Sequence, residues 1–220
     1  MKIFAIVPVK SFENAKSRFG SLLSTHERIR LSEMLLVRTI CTLKKTPCIQ
    51  RILLVSADTR IKAIASKYGV TFLEELKEAG VNSAVELADE FCISARADAS
   101  LVLPTDLPLI VPGDIDIICK IVVAKDSCVI LCPSYKFDGS NVLFRKPCNI
   151  IHTSYDKNSY PNHVLAGIRS NANTRVLFLD RLMIDIDTVN DIKKMLSIGQ
   201  SNDQITRYLK TILTRHTSVR

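Results

Sequence analysis

Three short stretches of this 220-residue chain hold residues whose types and spacing suit phosphate chemistry. The first is Val7-Pro8-Val9-Lys10-Ser11-Phe12-Glu13-Asn14-Ala15-Lys16-Ser17-Arg18, an apolar run that opens into a loop bearing Lys10, Lys16 and Arg18. The loop has no glycine, so it is neither a Walker A loop nor a dinucleotide fingerprint, and it offers an anion cations instead of a backbone cradle. The second is Leu101-Val102-Leu103-Pro104-Thr105-Asp106-Leu107-Pro108-Leu109, where Asp106 stands alone between two prolines that stiffen the chain. A hard cation such as Mg²⁺ takes one or two such carboxylates together with substrate phosphates. The third is Met183-Ile184-Asp185-Ile186-Asp187-Thr188. In an extended segment residues i and i+2 share a side, so Asp185 and Asp187 can address one site. Each stretch has an ordinary alternative: solvated surface cations, an Asp106 that caps a loop or helix, and a helix N-cap at Asp187 or Thr188.

Groups like these need rigid elements behind them. Apolar runs rich in Val, Ile and Leu at 3–7, 51–55, 100–103, 128–132, 142–145 and 175–179 predict buried strands, and Val70-Thr71-Phe72-Leu73 predicts a shorter one. Between them, Ile61, Ile64, Ala65 and Tyr68 form a helical stripe that stops at Gly69. Ala84, Leu87, Ala88, Phe91, Cys92 and Ala95 form a second, and Ile115, Ile118, Cys119 and Val122 a third. Strand–helix alternation of this kind predicts an α/β fold, a mostly parallel sheet with helices on both faces, built from right-handed crossovers. In such a sheet ligands bind beyond the carboxyl ends of the strands, where all three stretches fall. One domain is expected over 1–198. Residues 199–220 are read as an amphipathic helix, marked by Ile205, Tyr208, Leu209 and Ile212, that packs on its own domain, with a homodimer contact as the alternative. His216 to Arg220 are expected to fray.

Composition narrows the field further. With 47% hydrophobic and 24% charged residues the chain is no disordered tail, and no window approaches the ~20 apolar residues of a membrane-spanning helix. The opening eight residues are too short an apolar run for a signal peptide and read as a first strand. Lys+Arg 30 against Asp+Glu 22 leaves +8, which suits nucleic acid, an anionic metabolite or a phosphate-rich cofactor. The cations form no single block, Trp is absent, and no helix-turn-helix or RNA-recognition signature is present, so a small anion is favoured over nucleic acid. Seven cysteines are an odd number without a C-x-x-C pair, and four lie in apolar segments where Cys behaves as a small buried hydrophobe. A reducing, cytoplasmic setting is the expectation.

Taken in order, VPVKSFENAKSR (7–18), PTDLPL (104–109), DGSNVLF (138–144), NSYPNH (158–163) and DIDT (185–188) resemble the 2-phospho-L-lactate guanylyltransferases of coenzyme F-420 biosynthesis. That family belongs to the glycosyltransferase-A-like nucleotidyltransferases, and the resemblance runs from Met1 to about residue 197. It implies Mg²⁺-dependent transfer of GMP from GTP to a small phosphorylated carboxylic acid. It also implies that Lys10, Lys16 and Arg18 meet the GTP phosphates, that Asp106, Asp185 and Asp187 hold Mg²⁺, and that Lys16, Arg18 and Asp106 carry the catalysis. Gly80-Val81-Asn82-Ser83 resembles the family's Gly-Leu-Asn turn, which implies contacts from Gly80, Asn82 and Ser83 to guanine or ribose; helix capping by Asn82 or Ser83 is the alternative. Ser140, Asn141, Ser159 and His163 are implied in the acceptor pocket, with a buried structural histidine as the alternative for His163. The family's glycines around 134–140 and before Ser159 are missing here apart from Gly139, which implies a reshaped acceptor pocket. Among acceptors, 2-phospho-L-lactate ranks first, phosphoenolpyruvate second and 3-phosphoglycerate third.

Overall fold

A computed structural model describes residues 1–20, 22–122, 127–198 and 203–218. In chain order the elements are β1 (Ile3–Pro8), a 3-10 turn (Ser17–Phe19), α1 (Thr25–Lys44), β2 (Ile49–Ser56), α2 (Thr59–Tyr68), β3 (Thr71–Glu74), α3 (Val81–Ser94) and β4 (Ala99–Val102). They continue with α4 (Pro112–Ile121), β5 (Cys128–Pro133), β6 (Ser140–Lys146), α5 (Ser159–Arg169), β7 (Asn173–Val176), α6 (Asp180–Met183), α7 (Val189–Ile198) and α8 (Gln204–Ser218). The strands form one sheet in the order β3-β2-β1-β4-β6-β5-β7. Pairing is parallel for β1–β2, β1–β4, β2–β3 and β5–β7, while β6 runs antiparallel to both β4 and β5. The expected mostly parallel α/β sheet is therefore present, with β5 and β6 closed by the Ser134–Gly139 turn instead of a helical crossover.

The period-2 alternation of β1 shows how the layers form. Ile3, Ala5 and Val7 face Leu36, Ile40 and Leu43 of α1, with α2 and α4 beside them. Phe4 and Ile6 face the opposite way, toward Ala84, Val85 and Ala88 of α3. Both faces of the strand are thus dry, which is why it reads as a continuous apolar run. A third cluster gathers Phe19, Leu31 and Leu35 against Ile192 and Met195 of α7 and Ile205, Leu209 and Ile212 of α8.

The structure departs from the sequence expectations in four places. α1 is absent from the pattern of stripes above, although its signals are present: Ser24 and Glu27 form a capping box, and Leu31, Leu35, Leu36, Ile40 and Leu43 are its buried stripe. The last strand lies at Asn173–Val176, not 175–179, because only that span finds β5 in register, from Cys128 opposite Asn173 to Leu131 opposite Val176. The apolar run then leaves the sheet, with Leu177 and Leu179 against the core and Phe178 exposed. Cys92, Cys128 and Cys132, which lie in apolar segments, are buried as expected, and Cys148 is buried as well, but Cys119 is joined to Cys48 as a disulfide, since the start of β2 and α4 bring their Cα atoms to 6.7 Å. α8 packs on α1 and α7 of its own chain and runs to Ser218, so 216–218 are helical where fraying was expected, and residues 219–220 lie outside the described residues. The boundary expected after residue 198 falls at 199–202, also outside them. Among the described residues no helix is long and apolar enough to cross a membrane.

Candidate active site

The strand order places β1 beside β2 on one side and β4 on the other, so connections leave β1 and β4 in opposite directions and open a crevice at their carboxyl ends. A cleft of about 520 Å³ lies there. Its walls include Lys10, Lys16, Arg18, Gly80, Asp106, Ser140, Asn141, Ser159, Asp185 and Asp187. Ten of the thirteen site residues expected from sequence thus meet in one cavity, while Asn82, Ser83 and His163 stand outside its lining.

The cation loop after β1 is tied down from three sides. Asp58, the N-cap of α2, accepts the Phe12 N–H at 3.0 Å; Glu78 accepts the Ser11 N–H at 3.2 Å; and Arg28 of α1 donates to the Ala15 carbonyl at 3.2 Å. Asp58 stays fully ionised for this task, its pKa held down to about 2 chiefly by its hydrogen bonds from Arg60. The loop ends with Lys16 in the left-handed region at φ 54°, and the 3-10 turn that follows buries Phe19. Fixed at both ends, the Lys16 side chain reaches across the crevice. Its ammonium donates to Asp106 Oδ2 at 3.1 Å, to Asp187 Oδ1 at 3.2 Å and to the Ile186 carbonyl. Arg18 reaches Asp187 Oδ2 at 3.0 Å from the solvent side.

The carboxylates arrive by a different route. The Ile186 N–H donates to the Asp106 carbonyl at 3.1 Å, which zips the proline-bracketed loop to the Asp185–Asp187 segment. Asp106 caps nothing: α4 starts at Pro112, and Asp114 accepts the Val111 N–H at 3.2 Å. Asp114 is also gripped by Arg181 of α6 at 2.6 Å, which anchors the chain just before Met183. Thr188 caps α7 and exchanges hydrogen bonds with Asp191, so Asp187 is released from capping and its carboxylate turns to the lysine.

The charges are strongly coupled. For Lys16, burial opposes the charged form, yet the Asp106 and Asp187 carboxylates outweigh it and raise the pKa. Asp187 is likewise penalised by burial, but Lys16, Arg18 and Lys10 bring its pKa below the usual value. Asp185 is raised to about 6, first by burial and then by the negative charge of Asp106. Among the described residues no three His, Cys, Asp or Glu side chains stand close enough to form a ready-made metal cage. Asp106 Oδ1, however, is buried without a hydrogen-bond partner, and Asp185 carries a charge short of compensation. That donor set fits a cation held by one or two carboxylates and completed by substrate oxygens, the habit of Mg²⁺.

On the β6 side, His163 is fully buried behind the cleft wall. Its Nε2 accepts the Ser154 N–H at 2.8 Å, and its Nδ1 lies 2.9 Å from Ser140 Oγ. Burial, helped by Arg145, lowers its pKa to about 4, so the ring is neutral. An accepting Nε2 leaves the proton on Nδ1, which donates to Ser140 Oγ, and the Ser140 hydroxyl hydrogen is free to point at an anion in the cleft. Ser159 Oγ accepts the Ser140 N–H at 2.8 Å, and Asn141 donates to the Leu182 carbonyl at 2.9 Å and Asp185 at 3.4 Å. On the β3 side, Gly80 takes φ 99° at the N-terminus of α3, a conformation open to glycine. Asn82 does not cap that helix. It accepts the Tyr155 N–H at 2.8 Å and donates to Asp156 at 3.1 Å, holding the 155–156 segment in place, and Ser83 is exposed. Glu75, Glu78 and Tyr155 also line the cleft and were not anticipated; Glu75 lies two residues past the predicted strand at 70–73, so the strand-end rule would have found it.

A parallel-sheet crevice lined by cations on one loop and carboxylates on two others, with hydroxyls opposite, defines a nucleotidyltransferase. The same architecture recurs in solved structures at fold level. One from Desulfovibrio desulfuricans, described as a nucleotide-diphospho-sugar transferase, superposes with a TM-score of 0.78 at 12% identity over 96% of this chain and 95% of that one. A cytidylyltransferase of Leptospira borgpetersenii gives 0.62 at 11% identity over 99% and 96%. The family model for guanylyl transferase CofC-like proteins matches residues 1–218, and the chain belongs to that family. Relatives include a phosphoenolpyruvate guanylyltransferase of Rubrobacter xylanophilus, 30% identical over 90% of this chain and 96% of its own. A 2-phospho-L-lactate guanylyltransferase of Methanobrevibacter smithii is also 30% identical, over 96% of this chain and 90% of its own.

Proposed function

We propose that this chain transfers GMP from GTP to the phosphate of 2-phospho-L-lactate in the making of coenzyme F-420. A phosphate oxygen of the acid attacks the α-phosphorus, the bond to the bridging oxygen breaks, and pyrophosphate leaves with the electron pair. The observation that carries this reading is the buried Lys16 ammonium, held between Asp106 and Asp187 at the mouth of the β1–β4 crevice. In phosphoryl transfer positioning and charge stabilisation do most of the work. Lys16 and Arg18 meet the charge that builds on the leaving pyrophosphate, and Lys10 holds the outer phosphates. Asp106, Asp185 and Asp187 would hold Mg²⁺, which when bound supplies Lewis-acid polarisation of the α-phosphate. An acceptor phosphate is already ionised at neutral pH, so no general base is required. His163, beside the cleft wall, is neutral with both ring nitrogens engaged, in keeping with that chemistry.

On the β6 side, the Ser140 hydroxyl, Ser159 and nearby amides suit a carboxylate and phosphate on adjacent carbons. Phosphoenolpyruvate presents the same two anions around a planar carbon and is the second reading, favoured by the Rubrobacter xylanophilus relative at equal identity. The test is pyrophosphate release from each of the four ribonucleoside triphosphates with 2-phospho-L-lactate, phosphoenolpyruvate and 3-phosphoglycerate supplied in turn. GTP with 2-phospho-L-lactate is expected to give the highest kcat/KM. A win for phosphoenolpyruvate moves the acceptor to the second reading, and no turnover of GTP with any acceptor refutes the guanylyl transfer.

A further inference from the structure

The carboxylates lining the cleft are not equivalent. Asp106 and Asp187 hold Lys16, Asp185 accepts from Asn141, and Glu78 accepts from the Ser11 N–H and from Asn14 at 3.3 Å. Glu75 is half-buried in the lining, and among the described residues its carboxylate has no hydrogen bond or ion pair. Its backbone is nonetheless fixed, the Glu75 N–H donating to the Ser56 carbonyl at 3.0 Å where β2 and β3 end. Burial, and then the charge of Glu78, raise its pKa above the ordinary glutamate value, as befits a carboxylate short of donors.

Its place in the sheet says which donors would reach it. Asp106 follows β4 and Glu75 follows β3; from β4 the order runs through β1 and β2 to β3, so the two strand ends lie three strand spacings apart, about 14 Å at ~4.8 Å each. A nucleoside with its α-phosphate at the Asp106 end extends its base over that distance. Val81, Ala84 and the side-chain-free Gly80 line the same part of the cleft and offer an apolar seat for a purine face. On one edge guanine presents two adjacent donors, N1–H and the 2-amino group, and two carboxylate oxygens can accept both. Adenine presents an acceptor at N1 and would meet the carboxylate with repulsion.

We infer that Glu75 is the base-reading residue of the nucleotide site, accepting hydrogen bonds from guanine N1–H and the 2-amino group, an assignment that rests on the GTP reading above. The experiment exchanges the hydrogen-bond code. Glutamine at this position keeps one acceptor for N1–H but replaces the other by a donor, which matches the 2-oxo group of xanthine. Pyrophosphate release by wild type and Glu75→Gln is measured with GTP, XTP, ITP and ATP, both 2-phospho-L-lactate and phosphoenolpyruvate being supplied. Wild type is expected to favour GTP, and Glu75→Gln to lose ~10- to 100-fold in kcat/KM for GTP while gaining on XTP, a gain misfolding cannot produce. Glu75→Ala is expected to level the GTP/ITP ratio, since ITP lacks only the 2-amino group. If wild type uses GTP and the Gln variant keeps its preference for GTP over XTP, or the Ala variant keeps the GTP/ITP ratio, the assignment to Glu75 is overturned and the guanylyl-transfer reading stands. If wild type shows no preference for GTP, both are overturned.

Discussion

Lys16 concentrates the physics of the site in one residue. A non-glycine residue in the left-handed region costs of order 1–3 kcal/mol, and taking an ammonium out of water costs more. Two carboxylates and a carbonyl offset that cost, and the same bonds keep the two negative side chains from opening the crevice by mutual repulsion. Lys16→Ala should therefore lower kcat with GTP by ~10²–10³, the usual loss of a preorganised charged donor. Lys16→Arg should not rescue it, because a planar guanidinium does not fit a pocket shaped around a compact point charge. Arg18 meets the same developing charge, but its side chain is 68% exposed and its field is screened, so Arg18→Ala should lower kcat less than Lys16→Ala while also raising KM for GTP. Steady-state kinetics on the three variants separate these roles. Equal, small losses from Lys16→Ala and Arg18→Ala would make both ordinary surface charges.

Among the elements, β6 and α5 are joined through His163, and this joint sets an acid limit on the fold. The ring is shut between Ser140, the Ser154 N–H and the Tyr155 ring, 4.8 Å from its own centroid, with Arg145 the charged group that opposes its protonation. Its folded pKa of about 4 lies below the ordinary 6.5 of an unfolded histidine. Between those values the unfolded chain binds a proton that the folded chain does not, so stability rises with pH across the window and is lost as pH falls from 6.5 toward 4. The loss reaches about 3 kcal/mol at most from this group. Denaturant unfolding at pH 7 and pH 4.5 should show a flatter pH dependence for His163→Gln than for wild type, and equal slopes would rule the joint out. This joint also marks how far the sequence can be read. Strands such as β1 and β4, dry on both faces, announce themselves as short apolar runs, and the residues beyond their ends could be named as site candidates from that alone. The partners of His163, the turn of Asn82 toward Tyr155 and the Ile186–Asp106 hydrogen bond depend on how distant segments meet across a β1-β4-β6 order, which no local pattern encodes. β7 begins two residues before the apolar run for the same reason, since its polar first half is a strand only because β5 lies beside it.

At the scale of the whole molecule, the last helix and the first functional loop share a core. Phe19, the last residue of the turn that carries Arg18, is buried in the cluster that also holds Leu209 and Ile212 of α8 and Leu31 and Leu35 of α1. Ion pairs of Arg38 with Asp203 and of Arg215 with Glu27, and the Tyr208 hydroxyl donating to the Glu27 carbonyl at 3.2 Å, clamp the same contact. The C-terminal helix therefore acts as a buttress behind the cation loop, Leu209 lying 190 residues after Phe19 in sequence (209 − 19). Leu209 is fully buried, so Leu209→Ala should cost ~2–5 kcal/mol. For a chain of this size each kcal/mol lowers Tm by roughly 2–4 °C. Leu43 is equally buried but belongs to the cluster beneath the sheet and does not line the cleft, so Leu43→Ala should cost a similar amount of stability. The two variants should part in their kinetics. With Leu209→Ala the cavity lies under Phe19, the cation loop loosens, and KM for GTP rises at temperatures well below Tm. With Leu43→Ala the loop keeps its ties to Asp58, Glu78 and Arg28, and KM stays near the wild-type value. Thermal unfolding followed by KM measurements at 25 °C decides the matter, because matched losses in Tm with matched KM values would show that α8 stabilises the molecule without supporting the site.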